Sequence, residues 1–175
     1  TLASNTVLTC GPEIDYIKAR MTEGDEEGNF FYVAKALADK VLGEGKYEVV
    51  EEMKGKDLEY IEYEQLMPFV KADKKAFFMT CMDYVSVEDG TGIVHIAPTF
   101  GADDARVGNE HNEPGLTLLD KDGNIRPMVD LSGKYFELEE LDPTFVEENI
   151  NTELYSEYAG RFVKNSYDES LTEED

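Results

Sequence analysis

Cysteine is scarce in this chain of 175 residues, occurring only as Cys10 and Cys81. The two form no C-x-x-C pair, and neither lies near a histidine. The sequence therefore supports neither a zinc knuckle nor a dense disulfide framework. Such usage fits a reducing cytoplasm, with both thiols expected as small core residues in strands. Long apolar runs are also missing. The opening stretch Leu2-Ala3-Ser4-Asn5-Thr6-Val7-Leu8 has neither a basic start nor membrane-spanning length, so neither a signal peptide nor a membrane span is expected. Thr1 stands where a complete chain would carry Met, which reads as an internal piece of something longer. Cations are few: 16 Lys and Arg stand against 39 Asp and Glu, for a net charge of −23. That field repels polyanions, so a strong isolated nucleic-acid binder is not expected. A nucleic-acid function would need most phosphate contacts to come from elsewhere in a larger enzyme.

What is present fits one domain with its own core. Val7 to Cys10 reads as a strand ending at the turn signal Gly11-Pro12, and Ile14 to Met21 as a second strand. Phe30-Phe31-Tyr32-Val33 is a third. Ala34, Leu37, Ala38, Val41 and Leu42 then follow at helical spacing, closed by Gly43. Tyr47 to Val50 precedes a turn at Lys54-Gly55-Lys56-Asp57, and Ala76 to Met82 is another β-rich run. Gly92 to Ala97 has the β-branched density of a buried strand. It leads into a loop at 98–101 and a helix-compatible stretch from Ala102 to Asn112. Leu116 to Leu119 and Pro127 to Leu131 flank an Asp-Gly hairpin turn. Asp142 to Tyr158 predicts a helix with Pro143 at its first position.

Several local patterns resolve into ordinary chemistry. Asp120-x-Asp122-x-Asn124 opens like a calcium loop. Ile125 occupies the glycine position and Leu131 the position of the closing Glu, so a turn is expected instead. Gly90-x-Gly92 lacks the third glycine or Lys-Ser/Thr of a phosphate loop and precedes a strand, which suggests a sharp turn with close backbone approach. His95, taken alone, is a structural histidine in an apolar strand. Asp103 and Asp104 sit where acidic groups cap a helix, and Asn5 is a polar residue ahead of a strand. No Ser-His-Asp or Cys-His nucleophile system is evident.

The run Gly90-Thr91-Gly92-Ile93-Val94-His95-Ile96-Ala97-Pro98-Thr99-Phe100-Gly101-Ala102-Asp103-Asp104 resembles the editing-domain (CP1) signature of the isoleucine, valine and leucine members of the class I aminoacyl-tRNA synthetases. Thr1-Leu2-Ala3-Ser4-Asn5 is similar to the end of the threonine-rich segment of the isoleucine type. Gly55-Lys56-Asp57-Leu58, Tyr63-Glu64-Gln65-Leu66 and Gly160-Arg161-Phe162-Val163-Lys164 extend the likeness over nearly the whole chain.

The resemblance implies a mixed α/β fold, with a β-barrel-like editing core and peripheral helices, and one editing domain over residues 1–175 of a larger synthetase. It implies hydrolysis of the ester in valine-charged tRNA(Ile). Asp104 would pair with the α-ammonium of the wrong amino acid. His95 would line the side-chain and ribose region and help reject isoleucine, and Asn5 would lie beside the terminal adenosine. Thr1, Gly92, Ala97, Pro98, Phe100 and Gly101 would line the substrate. No metal or cofactor is implied for the editing module, whereas the parent synthetase would use ATP and Mg. tRNA would be held through the parent and only weakly by this chain alone. Two alternatives stand beside this: a valine-type editing domain acting on Thr-tRNA(Val), and a noncatalytic acidic interaction domain.

Overall fold

The computed structural model describes residues 2–97, 115–164 and 167. Eight strands and four short α-helices alternate along them: β1 Val7–Cys10, β2 Asp15–Met21, β3 Phe30–Ala34, α1 Ala38–Leu42, β4 Tyr47–Lys54, α2 Gly55–Leu58, β5 Phe78–Cys81, β6 Ile93–Ile96, β7 Leu118–Leu119, β8 Ile125–Arg126, α3 Pro143–Asn149 and α4 Thr152–Tyr155. The fold is mixed α/β, with its strands in three small sheets. Among the described residues none of these sheets closes on itself. No described helix is long and apolar enough to cross a membrane. The chain divides into two compact units. One comprises Val7–Tyr63 and Phe77–Ile96, and the other gathers the chain before Val7, Glu64–Ala76 and the chain from Ala97 onward.

The first unit holds two three-stranded sheets, ordered β5-β1-β6 and β3-β2-β4. β1 runs parallel to β5 and antiparallel to β6, while β2 is antiparallel to both its neighbours. The consecutive strands β1 and β2 thus belong to different sheets. Between them the chain reverses, with Ile14 N–H donating to the Gly11 carbonyl at 3.2 Å. Ile17, Ala19 and Met21 alternate along β2 and are buried, as expected of a central strand with one face on the core. Cys10, Val33, Leu37, Leu58 and Met79 join that core. The sequence expectation of a turn at Lys54–Asp57 gives way to one turn of α-helix, started by Asp57 Oδ2 accepting the Lys54 N–H at 2.9 Å.

Tyr16 fixes how this unit is assembled. Its ring is fully buried, and its hydroxyl accepts the Gly11 N–H at 3.0 Å and donates to the Gly92 carbonyl at 2.5 Å. Burial pushes the phenol up to about 12, so it remains a donor through the neutral range. The residues around it are small because nothing larger fits. A Cβ on Gly55 would lie 1.9 Å from the Gly11 carbonyl oxygen and 3.0 Å from the Tyr16 ring. A Cβ on Gly92, whose φ is +76°, would meet the Ala34 methyl at 2.5 Å.

The second unit packs aromatic rings. Phe69 meets Tyr135 and Tyr155 edge-on at centroid distances of 5.9 and 5.6 Å, and the Tyr155 hydroxyl donates to the Phe136 carbonyl at 2.8 Å. The hairpin expected around Asp120-Lys121-Asp122-Gly123-Asn124 forms, though β8 lies before Pro127 rather than after it. Pro127 lacks the N–H that would extend the ladder. The helix expected over Asp142 to Tyr158 is broken in two. It starts as predicted, with Pro143 in the first turn and Asp142 capping the Phe145 N–H at 2.8 Å. Ile150 then turns extended to bridge Val70, and Asn151 donates its N–H to the Phe69 carbonyl at 2.9 Å before capping α4. Pairing with residues 80 or so positions away outcompetes helix propagation.

Two predictions follow from this packing. Tyr16→Phe strands the Gly11 N–H and the Gly92 carbonyl, and is expected to destabilise by about 1–3 kcal/mol. Gly55→Ala, which forces a backbone carbonyl to move, is expected to cost a similar ~1–3 kcal/mol. Urea unfolding midpoints check both, and an unchanged midpoint for Tyr16→Phe would remove the phenol from its organising role. The second prediction concerns Asp120, whose carboxylate accepts the Asn124 N–H at 2.8 Å, the Arg126 Nε at 2.6 Å and the Asp122 N–H at 3.0 Å. These contacts, the Asn124 N–H foremost, hold its pKa down at about 2. A depressed folded-state pKa contributes stability above the unfolded carboxylate value of about 4 that is lost as pH falls through about 2. Asp120→Asn is expected to lack this part of the acid-side loss in a pH series of unfolding midpoints. Parallel wild-type and variant curves between those pH values would contradict it.

Candidate functional site

His95 sits on β6, an edge strand, in register with Leu8 of β1, which is itself in register with Met79 of β5. Cross-strand partners share a face, so the half-buried imidazole extends a row of aliphatic side chains. Leu8 and Met79 of that row pack into the hydrophobic core of their unit. Gly92 lies just before β6, and its carbonyl and Cα are already committed to Tyr16 and Ala34. Its packing role is visible here whatever else it lines. Both residues belong to the unit containing β1 to β6.

Asn5 and Ala97 belong to the other unit. Both are buried, at 5% and 1% exposure, despite the polar side chain of the first. Asn5 follows a 3-10 turn over Leu2–Ser4 and donates its N–H to the Leu2 carbonyl at 3.1 Å. Val7 and Ile96 are ladder partners at the end of their sheet. In the chain, Asn5 precedes β1 and Ala97 follows β6. The five remaining expected site residues, Thr1, Pro98, Phe100, Gly101 and Asp104, lie outside the described residues, as does the expected helix from Ala102 to Asn112.

Reading the sequence missed two features. The first is the flanking pair Ser4 and Thr6, both fully buried, whose only sequence signal is that they are hydroxyl residues on either side of Asn5. The second is the proximity of the two thiols. Parallel register places Cys10 beside Cys81, with sulfurs 3.8 Å apart, and the Cys10 thiol donates to the Gly55 carbonyl at 3.3 Å. Burial, and after it the neighbouring Cys81, pushes the Cys10 thiol up to about 12. It is protonated at neutral pH and packs as a core residue, in line with its expected role. An open cavity of about 380 Å³ is lined by Glu13, Ile14, Asp15, Lys35, Ala36 and Val87, none of them an expected site residue. Its one cation, Lys35, is held by Glu52 at 2.8 Å. Among the described residues no three His, Cys, Asp or Glu side chains cluster as metal ligands.

Comparison with known proteins places these residues in a family. No family model matches the sequence. An isoleucine–tRNA ligase of Bacteroides fragilis is 47% identical over 192 aligned residues, covering all of this chain and 17% of the relative. One of Porphyromonas gingivalis is 45% identical over 196 aligned residues, again covering all of this chain and 17% of the relative. The chain thus spans about a sixth of the length of the curated relatives it matches. Among solved structures, GlLeuRS-CP1 superposes with a TM-score of 0.51 at 17% identity, over 62% of this chain and 40% of that one. The editing domain of Plasmodium falciparum (P. falciparum) cytosolic leucyl-tRNA synthetase superposes with a TM-score of 0.51 at 12% identity, over 71% of this chain and 53% of that one. At such identities the likeness is one of fold. Homologous along its whole length to those ligases and folded like a leucyl-tRNA synthetase editing domain, the chain belongs to the isoleucine–tRNA ligase family, as the part of it that carries the editing fold.

Proposed function

We propose that this chain is the post-transfer editing domain of an isoleucyl-tRNA synthetase, hydrolysing the ester that joins valine to tRNA(Ile). The observation that carries this reading is the whole-chain 47% identity to an isoleucine–tRNA ligase in a segment with an editing-domain fold. The need for such a module follows from energetics. One methylene supplies little discrimination, and the isoleucine enzyme is the standard worked case of that limit, at about 150-fold for isoleucine over valine. A second, hydrolytic pocket inverts the size test: valine enters and is removed, and isoleucine is excluded.

The residue roles carry over from the signature. Asp104 anchors the α-ammonium by a charge-assisted contact that leaves the ester carbonyl open to water. His95, at the end of an aliphatic row, limits side-chain size and is not assigned as a general base. Asn5 takes the terminal adenosine, and Thr1, Gly92, Ala97, Pro98, Phe100 and Gly101 line the substrate. Water attacks the carbonyl carbon, the ester C–O bond breaks, and the ribose oxygen leaves with a proton, releasing valine and tRNA. The step needs an oriented water and donors for the developing oxyanion, and ester hydrolysis has no intrinsic requirement for a covalent nucleophile. The tRNA is held chiefly by the rest of the synthetase, because a net charge of −23 opposes phosphate binding by this segment. The valine-type and noncatalytic alternatives are not favoured, since the matched relatives are isoleucine–tRNA ligases.

In the full-length synthetase, Asp104→Ala is expected to cost editing about 2–5 kcal/mol, the usual loss for one partner of a desolvated charge pair, while isoleucine activation is spared. Single-turnover deacylation of Val-tRNA(Ile) measures the first and pyrophosphate exchange the second. Deacylation at the wild-type rate by a folded variant rejects the assignment. The 175 residues alone are expected to bind tRNA weakly, and tight binding by filter retention at physiological salt would overturn the division of labour.

A further inference from the structure

Two side chains beside Asn5 have no structural explanation within the fold. Ser4 and Thr6 are each fully buried, and Ser4 Oγ and Thr6 Oγ1 have no hydrogen-bond partner among the described residues. A buried hydroxyl that makes no hydrogen bond is destabilising, and an alanine or valine would fill the same space without that penalty. The hydroxyls of buried Thr9 and half-buried Thr80, by contrast, are satisfied. Thr9 Oγ1 donates to the Thr80 carbonyl at 3.3 Å, and Thr80 Oγ1 donates to the Leu8 carbonyl at 3.4 Å. Ser4 and Thr6 are two residues apart on one short segment, anchored where Asn5 N–H closes the 3-10 turn onto Leu2. An unsatisfied polar group kept in a native interior calls for an explanation, a role in binding or catalysis among them.

We infer that the Ser4 and Thr6 hydroxyls are ligand-binding groups of the editing site, flanking Asn5 and hydrogen-bonding a hydroxyl-bearing ligand in the bound complex. This rests on the reading of the chain as an editing domain. A serine or threonine hydroxyl both donates and accepts, which matches another hydroxyl better than it matches a full charge. Two sources offer that chemistry there: the free ribose hydroxyl of the terminal nucleotide, and a water held against the ester.

The test uses the full-length synthetase with Thr6→Val, Ser4→Ala and the conservative Thr6→Ser. Thermal unfolding is measured beside single-turnover deacylation of Val-tRNA(Ile). Thr6→Val is expected to be at least as stable as wild type, because it deletes an unsatisfied hydroxyl, yet to deacylate about tenfold more slowly, the worth of roughly one hydrogen bond in the transition state. Ser4→Ala is expected to show the same separation of stability from rate, and Thr6→Ser to retain the wild-type rate. Wild-type rates in both Thr6→Val and Ser4→Ala overturn the proposal. Lowered stability in both also overturns it, since that marks hydroxyls satisfied within the folded protein. A wild-type synthetase that fails to deacylate Val-tRNA(Ile) overturns instead the editing reading on which the proposal stands. Substrate whose terminal nucleotide lacks the free ribose hydroxyl separates the two sources. Equal rates for wild type and Thr6→Val on that substrate identify the ribose hydroxyl as the ligand, a persistent tenfold gap identifies water, and either result supports the assignment.

Discussion

The Tyr16 hydroxyl, taking the Gly11 N–H on one side and giving its proton to the Gly92 carbonyl on the other, joins the turn between β1 and β2 to a stretch of chain 76 residues away. It holds the turn between β1 and β2, and the entry to β6 that carries His95. Gly55 at the start of α2 packs against both the phenol ring and the Gly11 carbonyl. Such an interior hydrogen bond adds only modest net stability, but leaving its partners unmade is expensive, so it acts as a constraint on arrangement. The small residues around the ring follow from it. Gly55, Gly92 and Ala34 leave the space that the phenol and its two partners need.

That constraint reaches His95 through β6. With Gly92 tied down ahead of it and β1 laddered alongside, the strand sets His95 in register with Leu8, which packs on the core that holds Met79. The net charge of −23 sets a field that opposes phosphate binding by this chain, which is why the proposal above leaves that task to the rest of a synthetase.

Much of the local structure was legible beforehand because its causes are local. Val7–Cys10 was expected as a strand and is one to the residue, bounded by Gly11-Pro12. Asp142-Pro143 marked the start of α3 through a cap and a fixed φ, both properties of adjacent residues. The end of that helix was not legible, since Ile150 leaves it to pair with Val70, a competitor that no window of neighbouring sequence contains. The same holds for the meeting of Cys10 and Cys81, which depends on the parallel register of strands some 70 residues apart. Among the candidate site residues, Asn5 and His95 were singled out by the two separate family-like segments that contain them, whereas the burial of Ser4 and Thr6 was invisible. Hydroxyl residues beside a turn usually face solvent or cap it, and only packing from elsewhere removes them from water.

By itself the sequence determined the strand and turn punctuation, the acidic field and, through the long run from Gly90 to Asp104, the family. Each of these is written in residues that are neighbours or in their sum. Tertiary structure alone decided that consecutive strands β1 and β2 enter different sheets, that Tyr16 becomes the tie between Gly11 and Gly92, and that two hydroxyls beside Asn5 are buried without partners among the described residues. The physical reason is that burial and long-range pairing depend on which distant segments arrive at a place. The propensity of the residues already there does not specify that arrival.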